Sequence, residues 1–121
     1  MKIVETLLIS CIAIAHIYFL ILEMFLWTLP KGIKTFGLKT KEFAEKTKVF
    51  GANQGLYNGF LAAGLIWSII ESNSFFSFAL KVFFLSCVII AGIYGAYSTK
   101  KIKLFYVQAL PAIIALILIH I

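Results

Sequence analysis

Four apolar stretches, each close to 20 residues long, follow one another along the chain at 3–27, 49–70, 75–97 and 102–121. About 20 apolar residues in helical form cross the roughly 30 Å hydrocarbon core of a bilayer. A segment in lipid must satisfy its own backbone hydrogen bonds, so each stretch is expected to be a helix. Pro30-Lys31-Gly32 is expected to stop the first helix. Glu71-Ser72-Asn73-Ser74 and Ser98-Thr99-Lys100-Lys101 can do little more than reverse the chain. Successive helices then run antiparallel. The expected fold is all-α: an integral membrane four-helix up-down bundle, one transmembrane domain over residues 1–121.

Composition points the same way. Hydrophobic residues make up 62% of the chain and charged residues 13%, against about 45–50% and about 25% in soluble domains. One small core cannot hide that much apolar surface, whereas lipid can. The net charge of +6 sets eleven lysines, with no arginine, against five glutamates. Nucleic acid is not an expected partner, because no guanidinium is available for bidentate phosphate or base contacts. Cys11 and Cys87 lie inside apolar runs and read as small packing residues, not as a disulfide framework. Leu8-Ile9-Ser10-Cys11 looks like a lipoprotein cleavage box. However, Glu5 interrupts the short run before it and the apolar run continues past the cysteine, so an uncleaved first helix is expected.

The longest connection, 31–48, is itself patterned. Phe36, Phe43 and Phe50 recur every seven residues, with Lys39, Lys41, Lys46 and Lys48 between them. Thr40 is placed to cap a helix, and Glu42 with Lys46 makes an i, i+4 pair. The pattern predicts a short amphipathic cytoplasmic segment between helices 1 and 2, lying on the membrane surface and merging into the second span. This connection carries six lysines and the third connection carries Lys100, Lys101 and Lys103. By the positive-inside rule both loops face the cytoplasm, with the two termini outside. Membrane lipids are then the first partners, drawn in part by the lysines.

The polar residues inside the spans are unevenly distributed. Glu23 lies four residues before Trp27, the expected interfacial anchor, so it enters the bilayer by about 6 Å. His16 shares its helical face about 10 Å deeper. Helix 2 presents Asn53, Gln54, Tyr57 and Asn58 in its first turns. Helices 3 and 4 bring Tyr94, Tyr106 and Gln108 to the same leaflet. The outer half holds little beyond Ser10, Ser77 and Lys81, and Lys81 is expected to snorkel. A carboxylate inside a span costs several kcal/mol unless it faces the bundle interior and finds partners. Glu23 is therefore expected to point toward these amides and phenols. The plainer reading, in which Glu23 only knits helices together and His16 is a packed core residue, stands beside the functional one.

Gly51, Gly55, Gly59 and Ala63 form a stripe of small residues on helix 2, and Ala91, Gly92 and Gly95 offer a similar surface on helix 3. Such stripes admit a close helix partner, either within the chain or in a homo-oligomer built through Gly51, Gly55 and Gly59. Pro111 removes one backbone donor in helix 4 and frees a carbonyl close to Gln108.

These residues also carry a family resemblance that spans nearly the whole chain. His16 with Leu22-Glu23-Met24-Phe25-Leu26-Trp27, then Ala52-Asn53-Gln54-Gly55-Leu56-Tyr57-Asn58-Gly59-Phe60, are similar to the small bacterial membrane proteins grouped as domain of unknown function 1304. So are Ala91-Gly92-Ile93-Tyr94-Gly95-Ala96 and Gln108-Ala109-Leu110-Pro111-Ala112. The resemblance implies a four-span protein of the bacterial plasma membrane and brings no activity with it.

Several chemistries are disfavoured. His16 and His120 fall at different depths, and one carboxylate cannot complete a metal site with them. The chain has no aspartate for a Ser-His-Asp triad and no glycine-rich phosphate loop. No cofactor is expected. Three readings remain. A small amphipathic or lipid-like ligand binds in the cytoplasmic leaflet, with Glu23, His16, Trp27, Asn53, Gln54, Tyr57, Asn58, Tyr94 and Gln108 lining the pocket. In that reading Glu23, aided by His16, is the candidate acid or base. Alternatively, the chain is a proton-coupled exporter resembling the small multidrug-resistance transporters, although their sequence motifs are absent. Third, it is a non-catalytic helper that joins a larger membrane complex through its glycine faces.

Overall fold

A computed structural model describes residues 2–121, and every described element is helical. The order is α1 (Lys2–Met24), α2 (Pro30–Phe36), α3 (Lys41–Ile70), α4 (Ser74–Thr99), a π-helical turn (Phe105–Ala109) and α5 (Leu110–Ile119). Helices α1 and α4, of 23 and 26 residues, are long and apolar enough to cross a membrane. The apolar stretch Phe105–Ile119 is shorter. Helix α3 is the longest, but Asn53, Gln54, Asn58 and its glycines dilute its apolar character.

The chain divides into two compact units. The first comprises residues 1–13 and 61–121. Its core is built from Ile9, Ile12 and Ala13 of α1, Leu65 of α3, Leu85 and Val88 of α4, and Ala112 and Ala115 of α5. Alanines and glycines let the helices close tightly. A Cβ at Gly92 would lie 2.6 Å from the backbone nitrogen of Ala109, so only glycine lets α4 touch the π-turn there. The π-turn accounts for the effect of Pro111. The Leu110 N–H reaches back five residues to the Phe105 carbonyl, which is how a helix absorbs one residue ahead of a proline it cannot bond normally. Asn73 caps α4 by accepting the Phe76 N–H at 3.0 Å. At the other end Lys100, in the left-handed region at φ 58°, terminates the helix.

The second unit comprises residues 14–60. Here α1 ends at Met24, earlier than the expected stop at Pro30. Pro30 instead opens α2, because a proline fits the first turn of a helix, where its missing N–H has no intrahelical partner. The turn at 25–29 folds over Gly32, where a Cβ would collide with the backbone of Leu26 and Trp27. Gly37, at φ 60°, closes α2 by the left-handed route, and the Leu38 N–H bonds back to the Ile33 carbonyl at 3.0 Å. Thr40 then caps α3 through the Phe43 N–H at 3.0 Å. The expected amphipathic segment is thus divided: α2 stands alone, and residues from Lys41 onward run without a break into the long helix α3. Glu42 and Lys46 pair at 3.4 Å on its exposed face.

Candidate functional site

The second unit holds a buried carboxylate met by two amides. Glu23 occupies the last turn of α1 and is only 2% exposed. Gln54 and Asn58 are four residues apart on α3, so their side chains share one face. Gln54 Nε2 donates to Glu23 Oε2, and Asn58 Nδ2 donates to Glu23 Oε1. Both oxygens of the Glu23 side chain therefore accept from α3, and neither donor carries a charge of its own.

The glycine stripe sets this geometry. Gly55 sits between the two amides, and a Cβ there would lie 2.7 Å from Met24 Cγ, 3.0 Å from Glu23 Cβ and 3.2 Å from the Leu20 carbonyl. One turn earlier, Gly51 lies against the Trp27 indole; one turn later, Gly59 meets Leu20. Within this unit the stripe is covered by the segment from Leu20 to Trp27. Trp27 fastens the arrangement: its Nε1 donates to Thr47 Oγ1 at 3.0 Å, and its ring packs on Phe36 with centroids 4.9 Å apart.

The other expected site residues fall elsewhere. His16 is buried two turns before Glu23, edge-on to Phe19 at 5.2 Å. Asn53 donates to the Val49 carbonyl of its own helix at 2.8 Å, as amides facing away from a core do. Tyr57 is 59% exposed and rests against Phe60. Tyr94 and Gln108 belong to the first unit, where Tyr94 is 67% exposed and Gln108 packs near Gly92. Of the nine expected residues, Glu23, Gln54 and Asn58 form the direct hydrogen-bonded cluster.

The first unit contains a polar feature that sequence reasoning missed. Lys81, expected to snorkel, is instead buried and paired with Glu5 at 3.0 Å, across 76 residues of sequence. The available signal was depth. Glu5 is one turn into α1 and Lys81 two turns into α4, so alternate spans of an up-down bundle, which run parallel, would bring opposite charges to one level. Among the described residues, no three His, Cys, Asp or Glu side chains gather closely enough to hold a metal ion.

Comparison with known proteins places the chain in a family. The uncharacterized protein YpaA of Lactococcus lactis subsp. lactis (strain IL1403) is 28% identical over 118 residues, covering 97% of this chain and 97% of that one. No solved structure matches the chain. The family described as "Protein of unknown function (DUF1304)" matches residues 10–120, which take in the Glu23, Gln54 and Asn58 cluster and all of α3 to α5. The chain belongs to the DUF1304 family.

Proposed function

We propose that this is a four-span protein of the bacterial cytoplasmic membrane, with its lysine-rich loops inside and both termini outside. Its Glu23–Gln54–Asn58 cluster binds the polar head of a small amphipathic, lipid-like molecule in the cytoplasmic leaflet. Support for the membrane reading comes from the outer faces of the helices. Ile14, Phe60, Ile66, Phe83, Ile90 and Ile117 all stand exposed, a surface suited to acyl chains and prone to association in water. The lysines of the two loops supply the orientation.

The observation that carries the binding reading is a buried acid whose two oxygens, among the described residues, accept from neutral amides. A buried acid of this kind is costly to maintain for packing alone, since an apolar residue would fill the same space without the desolvation cost. The amides of Gln54 and Asn58 can rotate to receive or donate to a ligand headgroup, while Glu23 anchors it as hydrogen-bond acceptor or takes its proton.

Mass spectrometry of protein purified in mild detergent is the test. A defined small molecule is expected to co-purify near one equivalent with the wild-type chain and to be lost in Glu23→Ala and Asn58→Ala variants that still fold. Wild-type protein with no retained molecule, or equal retention in both variants, overturns the reading. A carboxylate solvated by neutral groups keeps its acid–base capacity, so the same residue would also serve a proton-coupled exporter. Vesicle flux unaltered by Glu23→Gln dismisses that second use.

A further inference from the structure

The lysine-rich end of the first unit carries an open apolar groove with a single charge at its end. The groove, of about 490 Å³, lies between the end of α4 and the start of the fourth apolar stretch. Ile93, Ala96 and Tyr97 line it from α4, Ile102 and Phe105 from the segment that follows, and Lys100 from the turn between them. Spacings of three and four put the α4 residues on one face of the helix. Ile93 and Lys100 are seven residues apart, so the groove runs about 10 Å along α4, apolar along its length and cationic where it ends. Its far wall is Phe105, the residue at which the π-turn begins, and π-helical turns recur at functional sites.

Charge selects the occupant. Both glutamates of the unit lie far from the groove. Glu5 is paired with Lys81 two turns into α4, and Glu71 precedes that helix, which has 26 residues and is roughly 39 Å long. No Asp or Glu follows Glu71 in the sequence, whereas Lys100, Lys101 and Lys103 fall within four residues. Lys100 also ends α4 in the left-handed region, at φ 58°, a cap position where glycine sits without the steric cost that a lysine carries. Tyr94, Tyr97 and Tyr106, each within six residues of Lys100, stand exposed, and tyrosines of this kind settle at the headgroup level of a bilayer. A soluble anion has no use for the apolar length, and a plain hydrocarbon has none for the lysine. Nothing in the unit at this end pairs the cationic half of a zwitterionic headgroup, so a net negative one fits. We propose that the groove seats an acyl chain of an anionic phospholipid, whose phosphate is held by Lys100 while Lys101 and Lys103 add to the local attraction. This rests on the membrane reading above and is independent of the Glu23 cluster.

Native mass spectrometry of the detergent-purified protein tests it with two probes of equal chain length, dimyristoyl phosphatidylglycerol and dimyristoyl phosphatidylcholine. One phosphatidylglycerol is expected to bind about fivefold more tightly than phosphatidylcholine, the factor that one lysine near an anionic headgroup supplies. Lys100→Gly, which folds readily because glycine suits that cap, is expected to remove the preference. Lys46→Ala takes an equal charge from the exposed face of α3 and is expected to leave the preference intact. Ala96→Trp fills the groove and is expected to abolish retention of phosphatidylglycerol. Equal binding of the two lipids, or equal losses in Lys100→Gly and Lys46→Ala, overturns the proposal, as does full retention in folded Ala96→Trp. Dimers that dissociate in Ala96→Trp name a second copy of the chain as the occupant and overturn it too. If Ala96→Trp does not fold, Lys100→Gly against Lys46→Ala decides. Carbonate extraction of membranes separates the two readings. A chain released as soluble protein overturns the membrane reading together with this proposal, and a membrane-retained chain without lipid preference overturns this proposal alone.

Discussion

The two units bury a glutamate by different means. In the first unit Glu5 meets an ammonium, so the charges of Glu5 and Lys81 cancel at 3.0 Å. In the second unit Glu23 meets the amides of Gln54 and Asn58, which donate to both of its oxygens and bring no opposite charge. The first arrangement stabilises a fold only while both partners stay, because either one alone is a buried uncompensated charge. In the second no opposite charge is present, and among the described residues the hydrogen-bond partners of the Glu23 side chain are neutral donors. One residue type is thus paired with a charge in one unit and with neutral amides in the other.

That contrast can be tested by removing partners one at a time. The largest effect is expected from Lys81→Met alone, which strands Glu5 and costs about 3 kcal/mol. Unfolding in detergent micelles measures it, and Glu5→Gln added to the same chain should restore most of the loss. A Lys81→Met variant as stable as wild type would show that the pair is too hydrated to matter. Next comes Asn58→Ala, which leaves one buried oxygen of Glu23 without its donor and is expected to cost about 2 kcal/mol. Gln54→Ala should cost less, since Gln54 is the more exposed of the two amides. If the two variants behave alike, the contrast between a half-buried and an exposed donor fails.

Smaller effects probe how closely α3 approaches Glu23. Gly55→Ala sets a methyl against Glu23, Met24 and the Leu20 carbonyl, and overpacking of this kind costs about 1–2 kcal/mol. Gly59→Ala meets only the tip of Leu20, which can swing aside, so the same thermal-unfolding series should rank it well below Gly55→Ala. The smallest effect is expected from Lys46→Ala. Its pair with Glu42 has the same chemistry as Lys81 with Glu5, but it is exposed and worth under about 0.5 kcal/mol. Comparing the two lysine variants measures directly what burial adds to an ion pair.

Much of the candidate site was legible before any coordinates. A lone carboxylate in an apolar run needs partners, and the amides in the nearest antiparallel stretch were the available ones. Spacing of four put Gln54 and Asn58 on one face, with Gly55 between them to permit close approach. Asn53, adjacent in sequence, was harder to read. It points about 100° away around the helix, and nothing short of knowing which face α1 covers separates it from Gln54. Trp27 was expected at the interface as an anchor. Its role as a clamp on Thr47 and Gly51 depends on the turn at 25–29, and that turn depends on contacts with Gly32, which no local pattern encodes.

By itself the sequence determined the helical class, the apolar stretches, the cap at Thr40 and the asymmetry of the lysines. All of these follow from hydrogen-bonding demands and periodicities that act over a few residues. Only the tertiary structure decided which buried charge meets which partner. Glu5 and Lys81 are 76 residues apart, and Glu23 is 31 and 35 residues from its amides. The cost of burying a charge is local, but its remedy comes from whatever side chain the packing of distant helices brings within 3 Å or so.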